Sequence, residues 1–319
     1  MIRKIGVLTS GGDSPGMNAA IRAVTRSALC NGIEVVGIRN GFLGLVNGEY
    51  VPFDRNSVSD IVERGGTILG SARLPEFRDP KVVEAGVEKL KGFGIDALVV
   101  IGGDGTYKGG NSLTQRGVNC IGIPGTIDND IPGTNFTIGF DTALDTVTSC
   151  IDKLKDTSSS HHRCSVVEVM GNKCGDLAVY SAIACGAEVV ITPETGYDEE
   201  DVLDKLKYLD SIGKNHAIVV VTEKMVDVNS FANKISEYTT YSGRATILGH
   251  IQRGGSPTTS DRVLATRLGV KTVELLIAGV GGQAVGIEND IITSHPIDEI
   301  CKMKATSRKE LYRVFEKTV

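Results

Sequence analysis

Short runs of aliphatic and β-branched residues alternate with amphipathic stretches along the whole chain. The run KIGVLT at 4–9 reads as a buried strand. The spacing of Met17, Ala20, Ile21, Val24 and Ala28 predicts a helix over 17–29. Further strands are expected at 34–38, 97–101, 120–123, 166–170, 188–191, 217–221, 246–251 and 285–287, with helices between them. Asp79 and Pro80 form an N-cap and N1 pair that opens a helix to residue 91. Helices are also expected over 141–155 and 198–209, and a last long one over 261–278 ends at Gly279, a C-cap glycine. This βαβα rhythm predicts an α/β fold with parallel sheets covered by helices on both faces. In such sheets ligands bind at the carboxyl ends of the strands, so the loops there are where chemistry is expected.

Length and composition narrow the class. A chain of 319 residues, 41% of them hydrophobic, suits about two globular domains. Its 34 basic and 39 acidic residues give a net charge of −5 without any basic stripe, which argues against a nucleic-acid binder. No apolar run approaches the length of a membrane span, and the first strand is expected to begin too near Met1 to leave room for a signal peptide. The seven cysteines form no CxxC pair and read as reduced thiols of a cytoplasmic protein. Together these features point away from secreted, membrane and disordered classes.

Three glycine-rich loops follow expected strands. Residues 10–16 (SGGDSPG) offer the adjacent amides of Gly11 and Gly12 to an anion, although a simple connecting turn reads equally well; the chain has no GxxxxGK[ST]. Residues 102–106 (GGDGT) set the carboxylate of Asp104 beside open backbone donors, as a magnesium-bound polyphosphate requires. Residues 124–132 (PGTIDNDIP) carry Thr126, Asp128 and Asp130, where a carboxylate can take a proton from an attacking hydroxyl; the alternative is an Asx-turn. Two further segments, 170–176 (MGNKCGD) and 249–257 (GHIQRGGSP), add His250 and Arg253, with Gly254 and Gly255 opening the next helix. In an anionic chain a phosphorylated substrate needs local arginines, among which Arg73, Arg163 and Arg244 stand beside strands or glycine turns. Arg22 and Arg26 share one face of the first helix and suit a second anion or an exposed surface. The run His161-His162-Arg163-Cys164 is not read as a metal site, since neighbouring strand residues point to opposite faces.

The segments LTSGGDSPGMNAAIR, RGGTILGSAR, VVIGGDGTY, PGTIDNDIPGT, VVEVMG and LGHIQRGGSP resemble, in order and over essentially the whole chain, the bacterial ATP-dependent 6-phosphofructokinase family. The resemblance implies two doubly wound Rossmann-like domains with mostly parallel sheets. Residues 1–138 with 251–301 would bind ATP, and 139–250 with 302–319 would bind fructose 6-phosphate. It implies that Gly12, Phe42, Arg73, Leu74, Arg78, Gly103, Asp104, Gly105 and Thr106 hold ATP, with Mg2+ at Asp104. Thr126, Asp128 and Arg73 would be catalytic, Asp128 as general base. The sugar phosphate would meet Thr126, Ile127, Asp128, Met170, Gly171, Asn172, Glu223, His250, Ile251, Gln252 and Arg253, while Arg163 and Arg244 reach its 6-phosphate from a neighbouring subunit of a homotetramer. An effector site for ADP or phosphoenolpyruvate would gather Arg22, Arg26, Arg55, Ser59, Lys155, Gly186, Glu188, Lys214 and His216. Gly105 and Gly125 match members that use ATP rather than pyrophosphate.

Three positions depart from the family pattern: Asn172 where close relatives carry arginine, Lys155 in place of an arginine, and Ile212 in place of a lysine. Lys173 or Arg73 would be the compensating cation at the first. Competing readings are another GGDG-type kinase, a catalytically inactive sugar-phosphate sensor, and an NADP oxidoreductase using a GxGxxxG at 103–109. PGTIDND, GHIQRGGSP and the retained Asp104, Asp128 and Asp130 argue against them.

Overall fold

The computed structural model describes residues 2–304 and 308–319. The first part of the chain forms β1 (Lys4–Ser10), α1 (Met17–Cys30), β2 (Glu34–Ile38), α2 (Gly41–Asn47), β3 (Tyr50–Phe53), α3 (Pro80–Gly92), β4 (Ala97–Gly102), α4 (Asp104–Thr114) and β5 (Asn119–Pro124). Then come α5 (Phe140–Ser160), β6 (Arg163–Val169), α6 (Asp176–Cys185), β7 (Val189–Ile191), α7 (Glu199–Ser211), β8 (Ala217–Thr222), α8 (Val228–Tyr238) and β9 (Ser242–Ile247). The last part carries α9 (Thr259–Ile277), β10 (Gln283–Glu288), β11 (Ile291–Pro296), α10 (Ile297–Lys302) and α11 (Lys309–Glu316). The chain divides into two units, Met1–Thr142 with Arg253–Ala305, and Ala143–Gln252 with Thr306–Val319.

The first unit is built on a seven-stranded sheet of order β11-β10-β5-β4-β1-β2-β3. The five inner strands run parallel, and β3 and β11 close the edges antiparallel. Its inner strands are apolar on both faces because both faces are covered. Ile5, Val7, Val99 and Ile101 pack with Ile21 and Val24 of α1 and Leu268 of α9. On the other face, Leu8, Leu98 and Val100 pack with Leu45 of α2, Val87 of α3 and Leu113 of α4. The chain leaves β1 for β2 on one side and returns to β4 on the other, so the order reverses between β1 and β4. That is the switch point at which open α/β sheets bind ligands.

The second unit holds a parallel four-stranded sheet of order β7-β8-β6-β9. Val166, Val219 and Val221 pack with Leu203 and Leu206 of α7 and with Phe231 and Ile235 of α8. The α/β fold with mostly parallel sheets is as the βαβα rhythm predicts.

Several local expectations are corrected. The strand expected at 246–251 is β9 ending at Ile247, followed by a 3-10 turn over Gly249–Arg253, because Gly249 takes φ +56°. Gly254 and Gly255 do not open the next helix; Thr258 caps α9 by accepting from Asp261 N. GGDGT is only half a loop, since Asp104, Gly105 and Thr106 are the first turn of α4. His161 and His162 precede β6, so strand alternation is not what separates them; no group of three or more metal-ligating side chains occurs among the described residues. No helix of the described residues is long and apolar enough to cross a membrane. All seven cysteines are free thiols.

Candidate active site

Three loops leave adjacent parallel strands at one level. Ser10 pairs with Gly102 and Gly102 with Pro124, so the segments after β1, β4 and β5 start in register. Gly102 permits the close approach: a side chain there would collide with Ser10 O and Thr106 Oγ1. Thr106 Oγ1 donates to Ser10 O at 2.9 Å, and Gly125 N donates to Gly102 O at 3.0 Å. These bonds tie the three segments to one another.

Beyond β5 the chain folds back on itself. Thr137 Oγ1 donates to Thr126 O at 2.5 Å, Thr137 N to Asn129 Oδ1 at 2.9 Å, and Ile138 N to Pro124 O at 2.9 Å. Asn129 takes the left-handed conformation, φ 52°, and its side chain also reaches Asn135 O. Asn129 Oδ1 is thus engaged eight residues on and does not close a local Asx-turn; these bonds frame Asp128 from the far side of the loop. Asp128 is buried; its backbone N–H donates to Thr126 Oγ1 at 3.2 Å. Thr126 Oγ1 in turn lies 3.5 Å from Asp128 Oδ2.

Asp104 heads α4 with an exposed carboxylate paired to Lys108 Nζ at 2.6 Å. Carboxylate and helix N-terminus thus face solvent together. Nothing stands within 4 Å of a Cβ built on Gly105, so packing does not require glycine there. Arg73 and Arg78 are exposed at the surface of the first unit. Leu74 is half-buried against the core, and Gly103 caps α4. Phe42 is not brought to the open edge; it is buried and stacked on Phe77 with centroids 4.3 Å apart. Ile127 is likewise fully buried. Arg253 belongs to this first unit, with its Nη1 donating to Asp13 O at 3.1 Å and its guanidinium occupying the space a side chain on Gly12 would need.

In the second unit, Met170, Glu223 and the 248–250 segment follow β6, β8 and β9 at the carboxyl edge. Glu223 N donates to Val169 O at 2.8 Å and Leu248 N to Glu168 O at 3.1 Å, which holds the three strand ends level. Gln252 is fully buried and acts as a brace: Oε1 accepts from Met170 N at 3.1 Å and Nε2 donates to Gly249 O at 3.0 Å. Gly171, φ +144°, leaves no room for a side chain beside Cys174 O. Asn172 N donates to Glu223 Oε1 at 3.0 Å, and Asn172 Oδ1 accepts from Lys224 Nζ at 3.3 Å. His250 and Ile251 are exposed. Burial, with Glu223 and Asp227 adding repulsion, raises the Glu168 carboxyl above its ordinary range.

Arg163 and Arg244 stand elsewhere. Arg163 opens β6, seven residues long, whereas Met170 follows its far end. At about 3.3 Å per residue that separates them by about 20 Å. Arg244 pairs with Ser165 near the same amino edge. Within one chain these arginines and Met170 do not share a site.

The expected effector residues fall into two groups, one per unit. In the first, Arg26 Nη2 reaches Ser59 Oγ at 3.5 Å, Ser59 Oγ donates to Arg55 O at 3.1 Å, and Arg22 lies one turn earlier on α1. In the second, Lys214 pairs with the buried Glu188 at 2.8 Å, and Lys155 Nζ donates to Cys185 O at 2.5 Å beside Gly186. Burial lowers the His216 imidazole, with Lys214 and Lys155 adding to the effect and Glu188 opposing it.

Sequence reasoning passed over Lys224 and Lys108, and expected Gln252 as a substrate contact where the structure makes it a buried brace. Lys108 was findable, being four residues after Asp104 on one helix face. Lys224 carries no such signal, because its partner Asn172 follows a different strand.

Comparison with known proteins agrees with this geometry. The family model described as Phosphofructokinase matches residues 4–276. A protein of Photobacterium profundum named ATP-dependent 6-phosphofructokinase is 57% identical over 318 residues, 99% of each chain. Among solved structures, phosphofructokinase from Saccharomyces cerevisiae superposes with TM-score 0.85 at 33% identity, covering 99% of this chain and 47% of that one. Pichia pastoris phosphofructokinase in the T-state gives TM-score 0.89 at 31% identity, covering 100% of this chain and 39% of that one. The chain thus spans less than half the length of those yeast chains but nearly all of its bacterial relative. The register of the three loops, the two sheet orders and these matches agree: the chain belongs to the phosphofructokinase family.

Proposed function

We propose that this chain transfers a phosphoryl group from MgATP to the 1-hydroxyl of D-fructose 6-phosphate, giving fructose 1,6-bisphosphate and ADP. The observation that carries the reading is the register Ser10–Gly102–Pro124, which opens a glycine loop, a helix N-terminus and a buried acid at one sheet edge. The first unit would hold ATP through Gly12, Arg73, Leu74, Arg78 and residues 103–106, with Phe42 packed beneath. The second would hold the sugar phosphate through Met170, Glu223 and His250.

Asp128 takes the proton as the 1-hydroxyl oxygen forms its bond to the γ-phosphorus and ADP leaves with the electron pair of the broken P–O bond. General-base catalysis of this kind is typically worth ~10²–10⁴ in rate. Thr126 fixes the loop through its contacts with Asp128, and Arg73 offsets charge on the group in transfer. Positioning and preorganised charge lower most of the remaining barrier. Asp104 suits a magnesium ion held mainly by phosphates and water, since it is exposed at a helix N-terminus and no protein cage surrounds it among the described residues. When bound there, the metal neutralises phosphate charge.

Gly105 supports ATP over pyrophosphate, because its open surroundings leave space for a nucleotide that a side chain would take. The span of β6, about 20 Å at the usual rise per residue, supports shared sites in a homotetramer, with Arg163 and Arg244 serving a neighbour. The two basic groups at Arg22–Arg26–Arg55–Ser59 and at Lys155–Lys214–His216 suit ADP or phosphoenolpyruvate as effectors. Free thiols throughout fit a cytoplasmic enzyme. The test is an ADP-release assay with fructose 6-phosphate, comparing ATP with pyrophosphate at matched magnesium. Turnover with ATP alone is expected, and equal turnover with pyrophosphate overturns the donor reading.

A further inference from the structure

The Asp261 carboxylate lies in the first turn of α9, and Asp261 is only 1% exposed. Oδ1 accepts from Gly139 N at 2.8 Å. Oδ2 accepts from Thr142 N at 2.9 Å and from Thr142 Oγ1 at 2.6 Å. Thr142 Oγ1 accepts in turn from Thr258 N at 3.0 Å, and Thr258 Oγ1 donates to Asp141 Oδ2 at 2.6 Å. One carboxylate therefore joins the start of α9 to the first turn of α5.

What Asp261 holds is the segment that shapes the acid loop. Residues 137–139 run directly into α5; Thr137 bonds Thr126 O and Asn129 Oδ1, and Ile138 bonds Pro124 O and bridges Gly125. Asp128 lies between those anchor points. The same segment abuts the first loop, where a side chain on Gly139 would stand 2.6 Å from Ser14 Cβ and one on Gly16 2.6 Å from Ile138.

We propose that Asp261 is a positioning residue for phosphoryl transfer: through Gly139 and Thr142 it fixes segment 137–139, and so sets where the Asp128 carboxylate stands. The inference rests on Asp128 being the general base, as proposed above. Stability alone gives little reason to bury a charge, since apolar replacement is often neutral or stabilising. Burial in fact raises the Asp261 carboxyl to about 6, so its ionised form weakens the fold. A charge retained despite that penalty is accounted for by the geometry it imposes, because catalytic groups displaced by about 1 Å can lose roughly 10²-fold in rate.

The test is steady-state kinetics of Asp261→Asn, Thr142→Val and Thr142→Ser beside the wild type, with melting temperatures. Asp261→Asn keeps the shape but turns an amino group toward donors. Its kcat is expected to fall at least about ten-fold with both KM values within about three-fold, as loss of a transition-state geometry requires. Thr142→Val should show a smaller fall of the same kind, and Thr142→Ser should match the wild type. A kcat within about two-fold of wild type in Asp261→Asn, or KM values rising as much as kcat falls, overturns the inference. If Asp261→Asn does not fold, the Thr142 pair decides: equal kcat in the valine and serine variants overturns it. Failure of the underlying function reading is separate, since the wild type itself would then fail to phosphorylate fructose 6-phosphate.

Discussion

Lys224 Nζ donates to Asn172 Oδ1 at 3.3 Å, joining the residues that follow β8 and β6. Both take left-handed backbone conformations, φ 69° and 55°. The ammonium brings a cation beside position 172, and if the transferring phosphoryl group needs one there, Lys224 is the side chain that touches Asn172. Asn172→Arg should therefore leave kcat unchanged or lower, through repulsion from Lys224, whereas Lys224→Ala should lower kcat several-fold. Charge-assisted hydrogen bonds are roughly twice as strong as neutral ones. A large gain in Asn172→Arg with no loss in Lys224→Ala contradicts this account; steady-state kinetics of the two variants decides.

Arg163 and Arg244 lie at the amino edge of their sheet, far from Met170. If a neighbouring subunit uses them, inactive Arg244→Ala and Asp128→Asn subunits should complement one another when mixed. Each defect can then segregate to a different site, leaving some sites intact. Activity measured after verified subunit exchange should recover to a sizeable fraction of wild type. No recovery contradicts shared sites.

Gly105→Asp should fold normally, because its Cβ meets nothing within 4 Å. The added carboxylate would repel the nucleotide phosphates beside Asp104. Nucleotide affinity should fall by about ten-fold or more, read by titration, while the melting temperature stays within a few degrees. Unchanged affinity contradicts the placement of ATP.

Asp261 also predicts a pH dependence of stability. Its carboxyl is raised from 3.8 to about 6, so the folded chain binds this proton more tightly than the unfolded chain does. The stability linked to that proton is fully present below about pH 4 and is lost as pH rises through about 6, by an amount on the order of 3 kcal/mol. The melting temperature of the wild type, measured relative to Asp261→Asn, should therefore be higher at about pH 5 than at about pH 7. A wild-type advantage that grows with pH contradicts the assignment.

The inner strands were legible because burial on both faces makes them continuous apolar runs. The edge strands β3 and β11 were not. Tyr50–Phe53 is interrupted by Pro52, and Ile291–Pro296 mixes polar residues along its length, as solvent-facing edges allow. Thr258 and Asp261 stood three apart before an apolar helix, a readable cap signal, yet the helix was expected only from 261, two residues past its start at Thr259. The loop acids could be read from their glycine neighbours. Burial of Phe42 and Gln252, and the cross-strand partnership of Lys224, depend on tertiary contacts that no local pattern encodes.

The most direct measurement of the central claim is kcat and KM of Asp128→Asn with ATP and fructose 6-phosphate. Removing a base that acts only on the proton in flight should lower kcat by ~10²–10⁴. Both KM values should stay within a few-fold of wild type, because other residues bind the substrates. A variant whose kcat remains near normal contradicts the role of Asp128 and the mechanism built on it.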